Sequence, residues 1–383
     1  MMMLERLKPN KNWYAVATIV GSTVGIGLYG IPFAFQKAGF GIGLLFLLGI
    51  TGLMLFSHFL YGEVILRTHK RHQFVGYVNQ YLGPWAKRLN LLIFWVAMYG
   101  SLVGVIIISG DFLANIFSSY FRLSPFGFST IFIIAASVFI FMGLKTVSKF
   151  DYVMMLVFGA IVALIGIYGL GHFDVGNFTI ATGDFWFLPF GVILFAMSGI
   201  TGVPLAREVL IGEEEKFKKI VILGTLVPSA LYLIFSLIVV GVSGDITSPD
   251  AISGLRNSLG QKVVFIGSVF GFLTSSTIFL NLATSLKESF QQDFHFKHSW
   301  SWLLVVVPPY LLFLIGVRNF IDIISLVGGL AVSVSMILLV FTYINAKKHG
   351  DRVPEYSVRF HPVLLYLIVV LFGLGAAYTI LVK

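Results

Sequence analysis

Long apolar runs separated by short polar connections fill this 383-residue chain from end to end. A helix needs about 20 predominantly apolar residues to cross a bilayer. The runs predict 11 transmembrane helices, called spans 1 to 11 below, at 13–36, 40–66, 89–118, 126–144, 151–170, 185–206, 218–241, 261–286, 301–317, 322–346 and 360–382. The pattern therefore predicts an all-α polytopic membrane protein in which residues 1–383 form a single membrane domain.

The composition agrees with this pattern. Hydrophobic residues make up 57% of the chain, charged residues 11%, and the mean hydropathy is +0.93. Soluble domains carry roughly 25% charged residues, so the composition excludes an ordinary soluble protein. The chain contains no cysteine, so no disulfide can form.

The distribution of Lys and Arg predicts the orientation in the membrane. If the N-terminus is cytoplasmic, 20 of the 26 basic residues fall on the inner side. The six on the outer side are Lys37, Arg122, Arg256, Lys262, Arg318 and Lys383. Inner loops of membrane proteins carry this excess, which predicts a multi-pass protein of the cell membrane with a cytoplasmic N-terminus and an extracellular C-terminus. The net charge of +9 is thus explained by topology, and nucleic acid is not an expected partner.

Two short segments reveal an internal repeat. "GLYGIPFA" at 27–34 and "GITGVPLA" at 199–206 share four positions at an offset of 172 residues, and the same offset carries spans 2 to 5 onto spans 7 to 10. Glycine and proline are common in membrane helices, but that alternative does not explain five helices in register. The chain therefore reads as two five-helix units, 13–170 and 185–346, plus an extra helix at 360–382. Because five is odd, the second unit must be inverted, which is typical of transporters.

Glycines in the middle of spans 1 and 6 predict that both helices are discontinuous. Unwound backbone at membrane depth is tolerated where it lines a polar cavity. The second half-helix then offers free N–H groups to a carboxylate, and the first half-helix offers carbonyl groups to a cation or an ammonium group. No Asp, Glu, Lys or Arg lies in either broken segment. This favours a zwitterion with a neutral side chain, that is, an α-amino acid.

The predicted substrate contacts lie on three spans. Tyr99 in span 3 either reaches the substrate head with its hydroxyl group or packs between helices. Phe195 either closes the site from outside or has a packing role. The complete candidate set is Ser22, Thr23, Gly25, Ile26, Gly27, Tyr99, Phe195, Ala196, Met197, Ser198 and Gly199.

Three segments carry a resemblance to a known family. They are "GSTVGIGLYGIPFAFQKAGF" in span 1, "FAMSG" in span 6 and "YGEVILRT" at the end of span 2. The chain resembles amino acid permeases of the amino acid–polyamine–organocation superfamily, in particular the amino acid/auxin and aromatic amino acid permeases. The resemblance covers the ten core helices. It implies the fold of the bacterial leucine transporter (LeuT-type), and a carboxylate bound at the amides of Ile26 and Gly27.

The same resemblance implies one sodium site. Its ligands would be the carbonyl groups of Gly21, Val24 and Gly271 and the hydroxyl groups of Thr274 and Ser275. A second sodium is not expected, because Leu28 stands where that transporter needs an asparagine. The alternative for the hydroxyl run Thr274–Thr277 is hydrogen bonding to carbonyl groups one turn earlier.

Some related permeases use protons instead, with a lysine of the fifth helix in place of sodium. Span 5 contains no lysine, which favours sodium as the coupling ion. His58 and Glu63 are the candidates for the proton alternative, since ionisable residues inside spans are functional suspects. Glu63 can also form an ordinary ion pair with Arg67, four residues later.

These observations lead to an expected function. We expect a symporter that imports neutral amino acids, with a large apolar or aromatic side chain favoured by Gly100, Ser101, Gly104, Phe195 and Met197. A channel would need a continuous polar pore, and an amino acid-sensing receptor would normally carry a large cytoplasmic extension. The sequence lacks the paired groups of an enzyme. Beyond the coupling ion we expect no cofactor, and beyond the amino acid and the lipid bilayer no obligate protein partner is evident.

Overall fold

The computed structural model describes residues 11–143, 148–292 and 294–381, and within these ranges the chain forms helices and loops without a strand. Of the basic residues counted above, Arg6, Lys8, Lys145 and Lys383 lie outside the described residues. The helices are α1 (Lys11–Thr23), α2 (Gly27–Ala38), α3 (Phe40–Leu66), α4 (Phe74–Leu82), α5 (Pro84–Phe117), α6 (Pro125–Phe141), α7 (Ser148–Gly169), α8 (Leu188–Ala196), α9 (Gly202–Val209), α10 (Phe217–Ser243), α11 (Arg256–Gln292), α12 (His298–Leu314), α13 (Phe320–Leu326), α14 (Ser333–His349) and α15 (Pro362–Leu381).

Several of these elements can cross a membrane. Six helical stretches of the described chain are long and apolar enough to do so alone, and α1 with α2 forms a seventh, bent span. Three shorter apolar helices occupy predicted spans 4, 9 and 5: α6, α12 and the 159–172 stretch, which joins the end of α7 to a 3-10 turn at Leu170–His172. The chain is therefore a multi-pass membrane protein, while the number of 11 crossings stays a prediction.

Two spans are interrupted where the sequence predicts discontinuous helices. Helix α1 ends at Thr23 and α2 begins at Gly27, with a bend of 60° between them. Helix α8 ends at Ala196 and α9 begins at Gly202. We call residues 24–26 the first break and residues 197–201 the second break. The first break is short enough for α1 and α2 to form one bent span, while a single span formed by α8 and α9 stays a prediction.

Helix lengths agree with the division into two units. Helices α3 and α10, which the offset pairs, both have 27 residues, and α6 and α12 both have 17. Helix α5 has 34 residues and α11 has 37, with a non-helical kink at Gly260 (φ 78°) inside α11. The division into two five-helix units, and their inversion across the membrane, stay predictions.

Span 10 differs from a regular helix. Between α13 and α14 the chain forms a π-helical segment, Val327–Val332, which packs against α8. A Cβ atom at Gly328 would overlap the carbonyl oxygen of Gly191 and lie 2.6 Å from the amide nitrogen of Phe195. Short π-helical segments are frequent at functional sites. This one places span 10 directly beside the half-helix that leads into the second break.

One surface helix lies in a stretch that the sequence analysis treats as a connection. Helix α4 occupies part of 67–88, and α5 begins at Pro84 rather than at residue 89. Gly83 has φ 86° and Pro84 takes the first helical position of α5. Glycine after one helix followed by proline at the start of the next is a recognisable boundary signal. The boundary was therefore readable, but the apolar pattern alone does not show it.

Candidate functional site

The first break leaves backbone groups of both kinds without partners. Within the described ranges, the amide N–H groups of Gly25, Ile26 and Gly27 donate no hydrogen bond. Backbone groups left unpaired at membrane depth are costly unless they face polar groups. These three N–H groups lie at the start of α2, where the helix dipole favours a negative charge.

The carbonyl groups on the other side of the same break are also open. Gly21, Ser22 and Val24 accept no hydrogen bond from any residue that the structure describes. Gly21 and Ser22 are exposed as well. The broken span therefore presents unpaired donors and unpaired acceptors within a few residues, which is the arrangement that a ligand with both a negative and a positive end requires.

The second break is different, because its backbone is paired internally. The hydroxyl group of Ser198 donates to the carbonyl oxygen of Phe195 at 2.7 Å. The carbonyl groups of Met197, Ser198 and Gly199 accept from the amides of Gly199, Ile200 and Gly202 at 2.8 to 3.1 Å. A substrate amine would thus share or displace these hydrogen bonds. The expected free carbonyl groups of span 6 are not free in this structure.

The two breaks lie directly against each other. A Cβ atom at Gly27 would lie 2.8 Å from Ala196 Cα and from Phe195 Cδ1, and one at Gly199 would overlap Thr23 Oγ1. Only glycine allows this approach of two backbones. Both candidate glycines therefore hold the breaks together, in addition to any contact with a substrate.

A tyrosine that the sequence analysis does not single out joins the two breaks. The hydroxyl group of Tyr232, on α10, lies 2.9 Å from the carbonyl oxygens of both Thr23 and Ala196. These are the last residues of α1 and α8. The Tyr232 side chain is 0% exposed. The site thus has a neutral donor between the ends of two half-helices.

Tyr99 is placed away from the breaks. Its hydroxyl group donates to the carbonyl oxygen of Leu304 in α12 at 2.8 Å, which supports its packing role over contact with the substrate head. The part of α5 that reaches the first break is Gly104, where a Cβ atom would lie 3.4 Å from Ile26 Cδ1. Gly100 instead packs closely against Val327. Of these glycines, Gly104 is the one that adjoins the site.

The predicted sodium ligands on α11 face two different neighbours. The hydroxyl group of Thr274 hydrogen-bonds Tyr29 of α2, so this part of α11 faces the broken span. Ser275 Oγ lies 2.8 Å from Ser109 Oγ of α5 and donates to the carbonyl oxygen of Phe272 at 3.1 Å. Among the described residues, no hydrogen bond links Ser275 to α1.

The remaining candidate residues of α11 either face α5 or form hydrogen bonds within their own helix. A Cβ atom at Gly271 would overlap the ring of Phe112 of α5, so Gly271 faces α5 as Ser275 does. Ser276 and Thr277 donate to the carbonyl groups of Phe272 and Leu273, one turn earlier, at 2.7 and 2.9 Å. The alternative of backbone hydrogen bonding therefore holds for these two hydroxyl groups.

The two candidate proton carriers have unequal surroundings. Glu63 is 0% exposed and accepts from Arg67 Nε at 2.7 Å, from Ser357 Oγ at 2.9 Å and from the amide of Val358 at 2.7 Å. These contacts tie the end of α3 to the segment before α15. Glu63 is thus a structural ion-pair centre, and its predicted pairing with Arg67 is present.

His58 keeps one ring nitrogen open. Its Nδ1 lies 2.9 Å from Thr225 Oγ1, and Thr225 donates its only proton to the carbonyl oxygen of Val221. His58 Nδ1 must then carry the proton of this contact, which leaves Nε2 as an acceptor. Nε2 is buried and has no partner among the described residues. His58 is therefore the better candidate for a group that takes up a proton.

A metal centre held by side chains is not present in the described residues, where no group of three or more His, Cys, Asp or Glu could hold an ion. A cation at this site would depend on carbonyl and hydroxyl oxygens. Such all-oxygen shells suit hard cations. The open carbonyl groups of Gly21 and Val24 are of this kind.

Comparisons with known proteins agree with the architecture. The chain is 24% identical over 352 residues to tyrosine-specific transport system 2 of Haemophilus influenzae, covering 86% of each chain. It is 22% identical to tyrosine-specific transport system 1 of the same organism, covering 94% of each. It is 20% identical to glutamine transporter 2 of Aliivibrio fischeri, covering 86% of this chain and 87% of that one.

A solved structure shows the same fold. MhsT in complex with L-phenylalanine superposes with a TM-score of 0.61 at 14% identity, covering 94% of this chain and 98% of that chain. The sequence model of the tryptophan/tyrosine permease family matches residues 8–379. Because the match extends over nearly the whole chain, this protein belongs to the tryptophan/tyrosine permease family.

Proposed function

We propose that the chain is a secondary active transporter that imports neutral amino acids by cation symport. The observation that carries this proposal is the first break, which presents unpaired N–H groups at the start of α2 and unpaired carbonyl groups at the end of α1. A carboxylate fits the first set and an ammonium group or a cation fits the second. The absence of charged side chains in the broken segments favours a neutral substrate side chain.

A large apolar or aromatic side chain is the first candidate for the substrate. Two relatives are tyrosine transport systems, and the solved neighbour holds L-phenylalanine. In this chain, the lack of a side chain at Gly104 lets α5 approach Ile26 of the first break closely. Glutamine is the second candidate, because one relative is a glutamine transporter and its side chain is also neutral.

Sodium is the proposed coupling ion. Its support is the pair of open carbonyl groups at Gly21 and Val24, together with the hydroxyl group of Thr274 on the side of α11 that faces α2. Ion occupancy would then stabilise one arrangement of the broken span through differential affinity. Proton coupling through His58 is the alternative, supported by its open Nε2.

The transport cycle follows from the two five-helix units. If they are inverted repeats across 11 spans, they can exchange roles and expose the site to each side of the membrane in turn. We propose this arrangement with a cytoplasmic N-terminus, as the distribution of basic residues predicts.

Uptake into proteoliposomes tests the proposal. Labelled tyrosine, tryptophan, phenylalanine, leucine, glutamine and alanine would be offered under a sodium gradient and, separately, under a pH gradient. We expect saturable accumulation of the large neutral amino acids that depends on the sodium gradient. Fast flux without accumulation would indicate a channel, accumulation driven only by a pH gradient would exclude sodium coupling, and preference for alanine would exclude the proposed side-chain class.

A further inference from the structure

The hydroxyl group of Tyr232 lies where the C-terminal ends of two half-helices meet. Helices α1 and α8 end at Thr23 and Ala196, and both terminal carbonyl groups point at one phenol hydroxyl group, 2.9 Å away in each case. The last carbonyl groups of a helix lack intrahelical donors and carry the negative end of the helix dipole. Two negative helix ends thus converge on a single buried atom.

Such a point would otherwise attract a cation. Two partly negative oxygens at one position repel each other, and an unpaired carbonyl group at membrane depth is costly. A hydroxyl group has one proton to donate, so it can satisfy the two carbonyl groups only by sharing or alternating. A single neutral donor therefore serves two carbonyl groups, and a monovalent cation could take the place of that donor.

The rest of α10 keeps Tyr232 in place. Helix α10 packs against α1, α2 and α3. Close contacts fix it on both sides, because a Cβ atom at Gly224 would lie 2.7 Å from Ile19 of α1, and Ser229 lies 2.7 Å from Thr51 of α3. Helix α10 thus packs against the first broken span and positions the phenol group of Tyr232 beside the two breaks.

We propose that Tyr232 is a positioning residue whose hydroxyl group replaces a bound cation between the ends of α1 and α8 and so fixes the two breaks for substrate binding. The inference rests on the proposed function, since it concerns the same site. It separates two cation positions: an ion at Gly21 and Val24 drives transport, while the point between Thr23 and Ala196 is occupied by the protein itself.

The test replaces the hydroxyl group alone. In Tyr232→Phe the ring stays and both carbonyl groups lose their donor. We expect binding of labelled tyrosine to purified protein, measured at the lowest sodium concentration at which the wild type binds, to weaken by about tenfold or more. Adding lithium, potassium or rubidium ions should restore a large part of this loss, because a cation can enter the vacated position. The wild-type protein should show no such effect of the added ion.

A matched control and a second variant keep the test decisive. Tyr310→Phe removes a hydroxyl group that lies 3.5 Å from Thr130 between α12 and α6, so its binding should match the wild type in all salts. In the second variant, 4-aminophenylalanine at position 232 offers two N–H donors, one for each carbonyl group. It should bind at least as well as the wild type without an added cation, even if the Phe variant does not fold.

Each outcome has a defined meaning. Unchanged binding by Tyr232→Phe, a loss that no alkali cation restores, or weak binding by the 4-aminophenylalanine variant would each overturn the inference. Failure of the wild-type protein to bind any amino acid would instead count against the proposed function.

Discussion

Gly25 and Gly27 lie two residues apart in one motif but serve different purposes. A Cβ atom at Gly27 would meet the backbone of Ala196, at the end of α8, at 2.8 Å, whereas one at Gly25 would meet only Ile278 Cδ1, at 3.8 Å. Replacing Gly27 or Gly199 therefore disturbs the contact between the breaks and does not isolate substrate binding. Gly25 adjoins open space, so a side chain there tests the site without a clash.

We predict that Gly25→Val abolishes substrate binding while the protein still reaches the membrane. The added side chain would fill the space beside the unpaired N–H groups of residues 25–27, where the carboxylate is expected. Uptake of labelled tyrosine by cells and thermal unfolding of purified protein would be measured together. Gly52→Ala is the control, because nothing lies within 4 Å of a Cβ atom there. Normal uptake by Gly25→Val would show that the carboxylate binds elsewhere.

Glu63 supports a second prediction at this scale. Its buried carboxylate accepts three hydrogen bonds, and removing one charge of a buried pair is strongly destabilising. We expect Glu63→Gln to lower the unfolding temperature clearly, without changing the pH dependence of uptake by the protein that remains folded. The control is Glu355→Gln, which breaks an exposed pair with Arg352 and should change the unfolding temperature little. Altered pH dependence in Glu63→Gln would return Glu63 to the list of proton carriers.

Tyr356, near Glu63, is a second buried polar residue whose hydrogen bond is made within the protein. Burial raises the pKa of Tyr356 well above its ordinary value. The hydroxyl group therefore stays neutral and donates to the carbonyl oxygen of Phe59 at 3.1 Å. Together with Glu63, it fastens the segment before α15 to α3, so we regard this region as structural support.

Helix α11 shows how one hydroxyl run divides between two neighbours. Thr274 faces α2, Ser275 faces α5, and Ser276 bonds to its own helix. The three residues are adjacent in sequence, yet 100° of rotation per residue sends them to different surroundings. Of the three residues, only Thr274 is placed to contact the broken span directly.

We predict that Thr274→Ala raises the sodium concentration needed for half-maximal uptake by about tenfold, since it removes an oxygen that faces the broken span. Ser276→Ala is the matched control, because its hydroxyl group is already bonded to the carbonyl oxygen of Phe272. A sodium titration of uptake in both variants measures the effect. Equal titration curves for Thr274→Ala and the wild type would exclude Thr274 as a ligand.

Sequence patterns locate the elements better than the contacts between them. The breaks in spans 1 and 6 follow from glycines that recur at matching positions 172 residues apart, each set followed by a proline. The role of Tyr232 does not follow, since one tyrosine in an apolar helix looks like any other packing residue. The small residues next to Tyr99 in the sequence suggest room for a substrate, but Gly100 instead packs closely against Val327. Which face a helix turns inward is decided by partners far away in sequence.

At the scale of the whole molecule, the two sides of the first break differ in exposure. Along α2, residues 27–32 are all buried, whereas Gly21 and Ser22 near the end of α1 are exposed. The unpaired carbonyl groups of Gly21 and Ser22 therefore lie on the more exposed side of the break.

Backbone hydrogen bonds at the two ends of α3 show which loop segment lies at each end of this helix. At its start, the amides of Gly41 and Ile42 donate to the carbonyl oxygens of Thr179 and Ile180 at 3.2 and 3.1 Å. At its end, the carbonyl oxygen of Arg67 accepts from the amides of Asp351 and Arg352, each at 3.1 Å. Because α3 is a 27-residue apolar helix, the segment around 180 and the segment around 350 must lie on opposite sides of the membrane.

This relation makes the topology testable with two single cysteines in a chain that has none of its own. We predict that Ile180→Cys, at a side chain that is 82% exposed, reacts with a membrane-impermeant maleimide in intact cells. Lys348→Cys, also exposed, should react only after the membrane is permeabilised. The reason is the excess of Lys and Arg on the side that includes 347–359, which retains that side in the cytoplasm. Labelling of Lys348→Cys from outside, with Ile180→Cys protected, would mean that the whole chain is inserted in the opposite orientation. Labelling of both from one side would mean that α3 does not cross the membrane.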